Sequence, residues 1–193
     1  MKEFLEHINH KNPNFQCFDC NDESETLNLN VQVYHTKNES ASADELNKLR
    51  KLVKNGNEEI VEFYSIMNGV KMYCQNNQPK IELFPIHKLD DENEAWQYDY
   101  EGMESNELYD FQKEGIAFGE ISQSGNYFIF YQGKVYYADH DGWEETILGN
   151  SFFEFLNEMI KDPSKFMYDR GCYSRFEDGK TNKQWIPKQY KSE

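Results

Sequence analysis

Three short aromatic strands and the two turns between them restrict this chain more than any other feature. Residues 115–121, 127–131 and 134–138 carry the aromatic and β-branched side chains that suit a pleated surface, and Ser124-Gly125-Asn126 and Gln132-Gly133 separate them. Loops this short return the chain antiparallel, because a parallel crossover needs a dozen or more residues. Behind this meander, Ser151 and Glu154 have capping-box spacing. Phe152, Phe155, Leu156 and Met159 then fall on one helical face, widened by Phe153 and Ile160, and Pro163 closes the helix or begins another.

Upstream, Ser42-Ala43-Asp44-Glu45 is another capping box, followed by Leu46, Leu49, Leu52 and Val53 on one helical face. Asn55-Gly56 breaks that helix, and Asn57 is placed to cap the next, whose apolar stripe is Ile60, Val61, Phe63, Tyr64 and Met67. Asn68-Gly69 ends it, since both residues tolerate the left-handed conformation, and the two helices form an αα-hairpin. Residues 70–74 and 80–84 read as strands around a polar turn at 75–79, with Pro85 as the stop. A helix is expected over 88–96 and a loop around Gly102. In the first forty residues, Leu27, Leu29, Val31 and Val33 alternate with Asn28, Asn30 and Gln32, the period of a half-buried strand.

These signals predict an α+β fold: a mixed, largely antiparallel sheet with flanking helices, in one domain over 42–162. Residues 1–41 read as an N-terminal extension with one helical turn and an edge strand. Residues 163–193 read as a C-terminal helix and a tail lying along the surface, its polar sequence interrupted by Tyr173, Phe176, Trp185, Ile186 and Tyr190. Hydrophobic residues make up only 38% of the 193, but aromatics at 16% supply the area for one core.

Thirty-five acidic against 20 basic residues give a formal charge of -15, which repels phosphate backbones and argues against nucleic-acid binding. The same charge attracts a basic protein partner, although it also serves solubility alone. No apolar run reaches the ~20 residues of a membrane span, and the N-terminus has no signal-peptide pattern, so no membrane association and a cytoplasmic location are expected. The four cysteines, Cys17, Cys20, Cys74 and Cys172, do not make a disulfide framework.

Candidate chemistry is sparse. Cys17-Phe18-Asp19-Cys20 has the spacing of half a zinc site or a redox pair, and His7 and His10 could add ligands, but no second CxxC or HxxxH exists. Acidic Asp19 and Asp22 beside the pair would raise its thiol pKa. Asp139-His140-Asp141 is explained by a turn ending at Gly142. Ser124 has no nucleophile elbow around it, and neither a P-loop nor a dinucleotide fingerprint is present. No catalytic residue, metal or cofactor is expected.

Residues 90–114 are different, with ten carboxylates against Lys113 alone. Aromatic anchors inside a charged rim are how protein interfaces combine affinity with orientation. The candidate partner-binding residues are Asp90, Asp91, Glu92, Glu94, Trp96, Tyr98, Asp99, Tyr100, Glu101 and Glu104, with Asp139, Asp141 and Trp143 as a second contact. The competing reading is a solvated segment whose aromatics pack inward.

The order of these elements carries a resemblance. Phe63-Tyr64, Asn68-Gly69, Ile81-Glu82-Leu83-Phe84-Pro85-Ile86, Ile116-Ala117-Phe118-Gly119, Gly125-Asn126-Tyr127, Val135-Tyr136 and Ser151-Phe152-x-x-Phe155-Leu156 together resemble the Smi1/Knr4 proteins of the SUKH superfamily, over about 42–162. The tryptophan and Leu-Pro that often mark the family's first helix pair are absent here. The resemblance implies an α+β fold and, for bacterial members, an immunity protein that neutralises a cognate toxin, often a nuclease, by stoichiometric binding, as a monomer or weak homodimer. It also leaves open a cytosolic scaffold or regulatory role, in cell-wall synthesis or signalling. A small metal or thiol protein using Cys17 and Cys20 is the third reading.

Overall fold

A computed structural model of the chain describes residues 1–9, 14–19, 26–32, 34–53, 57–74, 77–98, 108–122, 124–139, 145–161, 175–177 and 182–187. Its helices are α1 (Lys2–Asn9), α2 (Ala43–Leu52), α3 (Glu58–Ile66), α4 (Leu89–Tyr98), α5 (Asp110–Glu114) and α6 (Phe152–Lys161). Its strands are β1 (Asn14–Asp19), β2 (Thr26–Gln32), β3 (Tyr34–Lys37), β4 (Val70–Cys74), β5 (Ile81–Leu83), β6 (Ile116–Ile121), β7 (Asn126–Tyr131), β8 (Lys134–Ala138), β9 (Thr146–Gly149), β10 (Arg175–Glu177) and β11 (Asn182–Pro187).

The meander is present and extends in both directions. Seven strands lie in the order β3-β4-β5-β6-β7-β8-β9, each beside its neighbour in sequence, and every pairing is antiparallel. Gln132 and Gly133 both take positive φ, +48° and +80°, as the two-residue turn between β7 and β8 requires. The added strands β3 and β9 have only four residues each, too few for an alternation signal to stand out.

Side chains alternate across this sheet and build a core on each face. Phe128, Phe130, Val135 and Tyr137 join Phe4, Leu49, Phe63, Phe152 and Phe155 in the larger core, among residues of α1, α2, α3 and α6. Ala117, Ile129, Tyr136 and Ala138 face the other way and pack with Trp96 of α4 and Phe111 of α5. The result is an α+β architecture with helices against both faces of an antiparallel sheet.

The segment read as an N-terminal extension enters this fold directly. Phe4 of α1 is fully buried with its ring 6.1 Å from Phe63, and β3 pairs with β4. His7 Nε2 lies 2.9 Å from the Tyr73 hydroxyl, tying α1 to the sheet. A second sheet, in the order β10-β11-β1-β2, joins the two ends of the chain, with β2 at its edge. The strand predicted from the Leu27 to Val33 alternation is β2 as far as Gln32; Val33 lies outside the described residues. In the tail, the described residues form β10 and β11 and not a helix; Pro163 and residues 162–174 lie outside the described residues.

Local capping follows the sequence with two departures. Glu45 N–H donates to Ser42 Oγ (3.3 Å) and Ser42 N–H donates to a Glu45 carboxylate oxygen (2.8 Å), completing the box on α2. On α6, Glu154 N–H donates to Ser151 Oγ, but the Glu154 carboxylate accepts from Asn150 N–H (2.9 Å), one residue further back. Asn57 stands at the N-cap of α3 but its side chain makes no capping bond; its amide nitrogen donates to Val53 O (2.6 Å). At the end of α3 only Gly69 is left-handed, at φ +89°, and a Cβ there would lie 2.7 Å from Leu83 O. Asn68 instead bridges elements: its amide nitrogen donates to Glu45 Oε1 (2.9 Å), and its amide oxygen accepts from Ile86 N–H (2.8 Å).

Candidate functional site

Helix α4 carries Asp90, Asp91, Glu92 and Glu94 of the acidic run, and helical spacing divides it into two faces. Leu89 and Trp96 are buried. Between them Asn93 clamps the sheet: its amide nitrogen donates to Ala117 O (2.9 Å) and its amide oxygen accepts from Ala117 N–H (2.8 Å). That contact sits at the register shift between Ala117 and Gly119, where β6 leaves its regular pairing with β7. Opposite this inward face, Asp91, Glu94 and Tyr98 are exposed at i, i+3 and i+7, with Tyr98 73% accessible. Two carboxylates and one large ring thus form a stripe along the outer side of the helix.

The remaining predicted residues separate by environment. Asp90 is exposed but ion-paired to Lys48 of α2 at 2.6 Å, an attachment between helices. Glu92 is half-buried, and burial raises its pKa, with Glu82 and Asp91 acting in the same direction against Lys88. Trp96, read from sequence as a possible anchor, is 1% exposed, so the inward reading holds for it: its indole fills the smaller core. Asp139 is half-buried at the end of β8. Asp99, Tyr100, Glu101, Glu104, Asp141 and Trp143 lie outside the described residues.

Beneath α4 the strands assemble a charge network that no local pattern reveals. Cross-strand register places Lys71, Glu82 and Glu120 in one row across β4, β5 and β6. The buried Glu82 receives Lys88 at 3.1 Å and Lys71 at 3.8 Å. Burial pushes the Glu120 carboxyl up to about 7, reinforced by the charges of Glu92 and Glu82 and opposed by Lys88. The only available sequence signal is one glutamate inside each of two apolar strands, Ile81-Glu82-Leu83 and Phe118-Gly119-Glu120-Ile121. Lys88 and Glu92 belong to the segment that lays α4 on the sheet, so the network helps hold the helix whose outer face is acidic.

The other candidate groups have structural partners. Ser124 Oγ donates to Ile121 O (2.6 Å) and accepts from Asn126 N–H (3.1 Å), which builds the β6–β7 turn. Cys74 is buried, and burial pushes its thiol up to about 11, away from thiolate chemistry. Cys17 lies on β1 opposite Trp185 of β11, while Cys20 falls outside the described residues. Among the described residues no cluster of His, Cys, Asp and Glu is arranged to hold a metal, and no helix is long and apolar enough to cross a membrane.

Comparison with known proteins places this geometry in a family. The sequence model of the SMI1 / KNR4 family (SUKH-1) matches residues 40–158, which contain α2 through most of α6 and the meander from β4 to β9. Among curated proteins, none matches the chain.

Proposed function

The chain belongs to the SMI1 / KNR4 family (SUKH-1), and on that premise we propose that it is an immunity protein, binding a basic toxin stoichiometrically and without turnover. The observation that carries this reading is the outer stripe of α4. Asp91 and Glu94 lead along one face to an aromatic ring, Tyr98, that is 73% exposed on a helix fastened to the sheet from the other side. A ring in a carboxylate rim suits a surface rich in lysine and arginine, where it supplies contact area while the carboxylates accept charge-assisted hydrogen bonds. A toxin acting on nucleic acid needs such a basic surface for its substrate, so covering it would block access. The formal charge of -15 adds long-range attraction and speeds encounter in the cytoplasm.

The test is a pull-down with the product of the neighbouring gene, followed by rescue of growth when that product is expressed. Joint replacement of Asp91→Lys and Glu94→Lys is expected to weaken binding about tenfold or more and to abolish rescue. Affinity that is unchanged by the pair of reversals would remove α4 from the interface. Recovery of a housekeeping regulatory protein in place of a toxin would transfer the chain to the scaffold reading.

A further inference from the structure

The smaller core does not end inside the protein. Phe111 of α5 stacks on Tyr136 of β8 with ring centroids 4.7 Å apart and planes 3° from parallel. Tyr109 stacks on Phe111 in turn, at 5.8 Å and 17°. Phe111 and Tyr136 are 4% and 6% exposed, whereas Tyr109 is 41% exposed. An apolar ring is therefore held at the surface on top of two buried ones. The backbone beneath it is fixed: the Tyr109 N–H donates to the side-chain oxygen of the buried Gln112 at 2.8 Å. Tyr131 extends the group laterally, 6.4 Å from Tyr136.

Charge around the rings is negative. Partial desolvation, then the carboxylates of Glu114 and Asp110, raise the pKa of Tyr131, and desolvation with Glu145 does the same for Tyr136. The cations nearby are Lys113, 3.6 Å from Asp110, and Lys134, which pairs across the strands with Tyr131. Asp110 keeps 79% of its side-chain surface exposed despite that ion pair. An aromatic face presented among carboxylates attracts a planar cation through the ring quadrupole and through charge. Guanidinium suits it better than ammonium, because it is planar, more weakly hydrated and stacks on rings.

We propose that the Tyr109–Phe111–Tyr136 stack receives an arginine side chain of the basic partner, laid against Tyr109 within reach of Asp110. The stack lies on the same side of the sheet as α4, since Trp96 and Phe111 share one core. It would therefore serve as a second anchor beside Tyr98, and the inference rests on the binding role proposed for that helix. Because the ring already rests on Phe111 before binding, less ordering entropy opposes the contact.

The experiment is an NMR titration of the full chain with a tetra-arginine peptide and, separately, its tetra-citrulline counterpart, at about 0.15 M salt to screen diffuse attraction. The arginine peptide is expected to shift the ring signals of Tyr109, Tyr131 and Tyr136, and the uncharged peptide is not. Tyr109→Leu should weaken the arginine peptide about two- to fivefold, and Tyr109→Phe should retain it. Ring signals that stay in place while the amides of Asp91 and Glu94 move would overturn the inference and leave the α4 reading standing. Equal shifts with citrulline would also overturn it, by showing apolar packing without charge recognition. Failure of the toxin pull-down, with the ring shifts intact, would count against the immunity reading alone.

Discussion

Glu120 stands on β6 opposite Glu82, with Glu92 of α4 adding negative charge and Lys88 opposing it. A carboxyl raised to about 7 holds its proton more tightly in the folded than in the unfolded chain. Its contribution to stability is present below the ordinary carboxyl range and is lost as pH rises from about 4.5 through 7. Glu120→Gln removes the charge and keeps the shape. It should stabilise the fold at pH 8 by about 1 kcal/mol after solvent screening, or roughly 2–4 °C in Tm, with a much smaller gain at pH 5. Thermal melts of both proteins at the two pH values check this, and an equal shift at each would contradict it. Asn68 gives a second prediction at this scale. Asn68→Ala leaves the Ile86 N–H without its side-chain acceptor and removes the donor to Glu45 Oε1, so a loss of about 2–3 kcal/mol in urea unfolding is expected. The sequence marks Asn68-Gly69 as a helix stop, and Gly69 meets that expectation through its positive φ. The bridging role of Asn68 was not legible, because both partners of its side chain are at least eighteen residues away.

At the level of elements, helix α4 shows how far periodicity reaches. Its position could be read from the sequence, and so could its acidic character. Which aromatic faces inward could not, because Trp96 and Tyr98 are two residues apart on opposite sides and either could have met the sheet. The outcome depends on Asn93 and Leu89, which lie on the Trp96 side and fix the helix by hydrogen bonds and burial. The contact between β9 and α6 is equally restrictive. A Cβ at Gly149 would lie 2.6 Å from Phe155 N and 2.9 Å from Phe155 Cα, both backbone atoms that cannot step aside. Gly149→Ala should therefore cost about 1–3 kcal/mol by forcing α6 away from the sheet edge. Chemical denaturation measures the cost, and retained stability would show that the helix can shift without loss.

For the whole molecule, the family match begins at residue 40, yet the larger core begins at Phe4. A chain cut to start at residue 40 would expose the site that Phe4 fills against Phe63 and lose both β3 and the His7 contact with Tyr73. Phe4→Ala in the full chain should cost about 3–5 kcal/mol, and the truncated chain should be less stable still. Thermal melting of the two against the intact protein tests this. A truncated form with an unchanged Tm would show that residues 1–39 are dispensable. The pairing of β1 with β11 adds a second link between the ends of the chain, from Phe15 opposite Pro187 to Asp19 opposite Lys183.

The sequence by itself determined the meander, the helix hairpin, the capped final helix and the family, because loop lengths, capping residues and alternation act between neighbours a few positions apart. Tertiary structure alone decided that α1 belongs to the core, that the tail pairs with β1, that Trp96 is buried while Tyr98 is open, and that three glutamates share one network. Those outcomes depend on strand register and on which distant surfaces meet. Burial and electrostatic environment are properties of the assembled neighbourhood, so a residue's own position in the chain does not carry them.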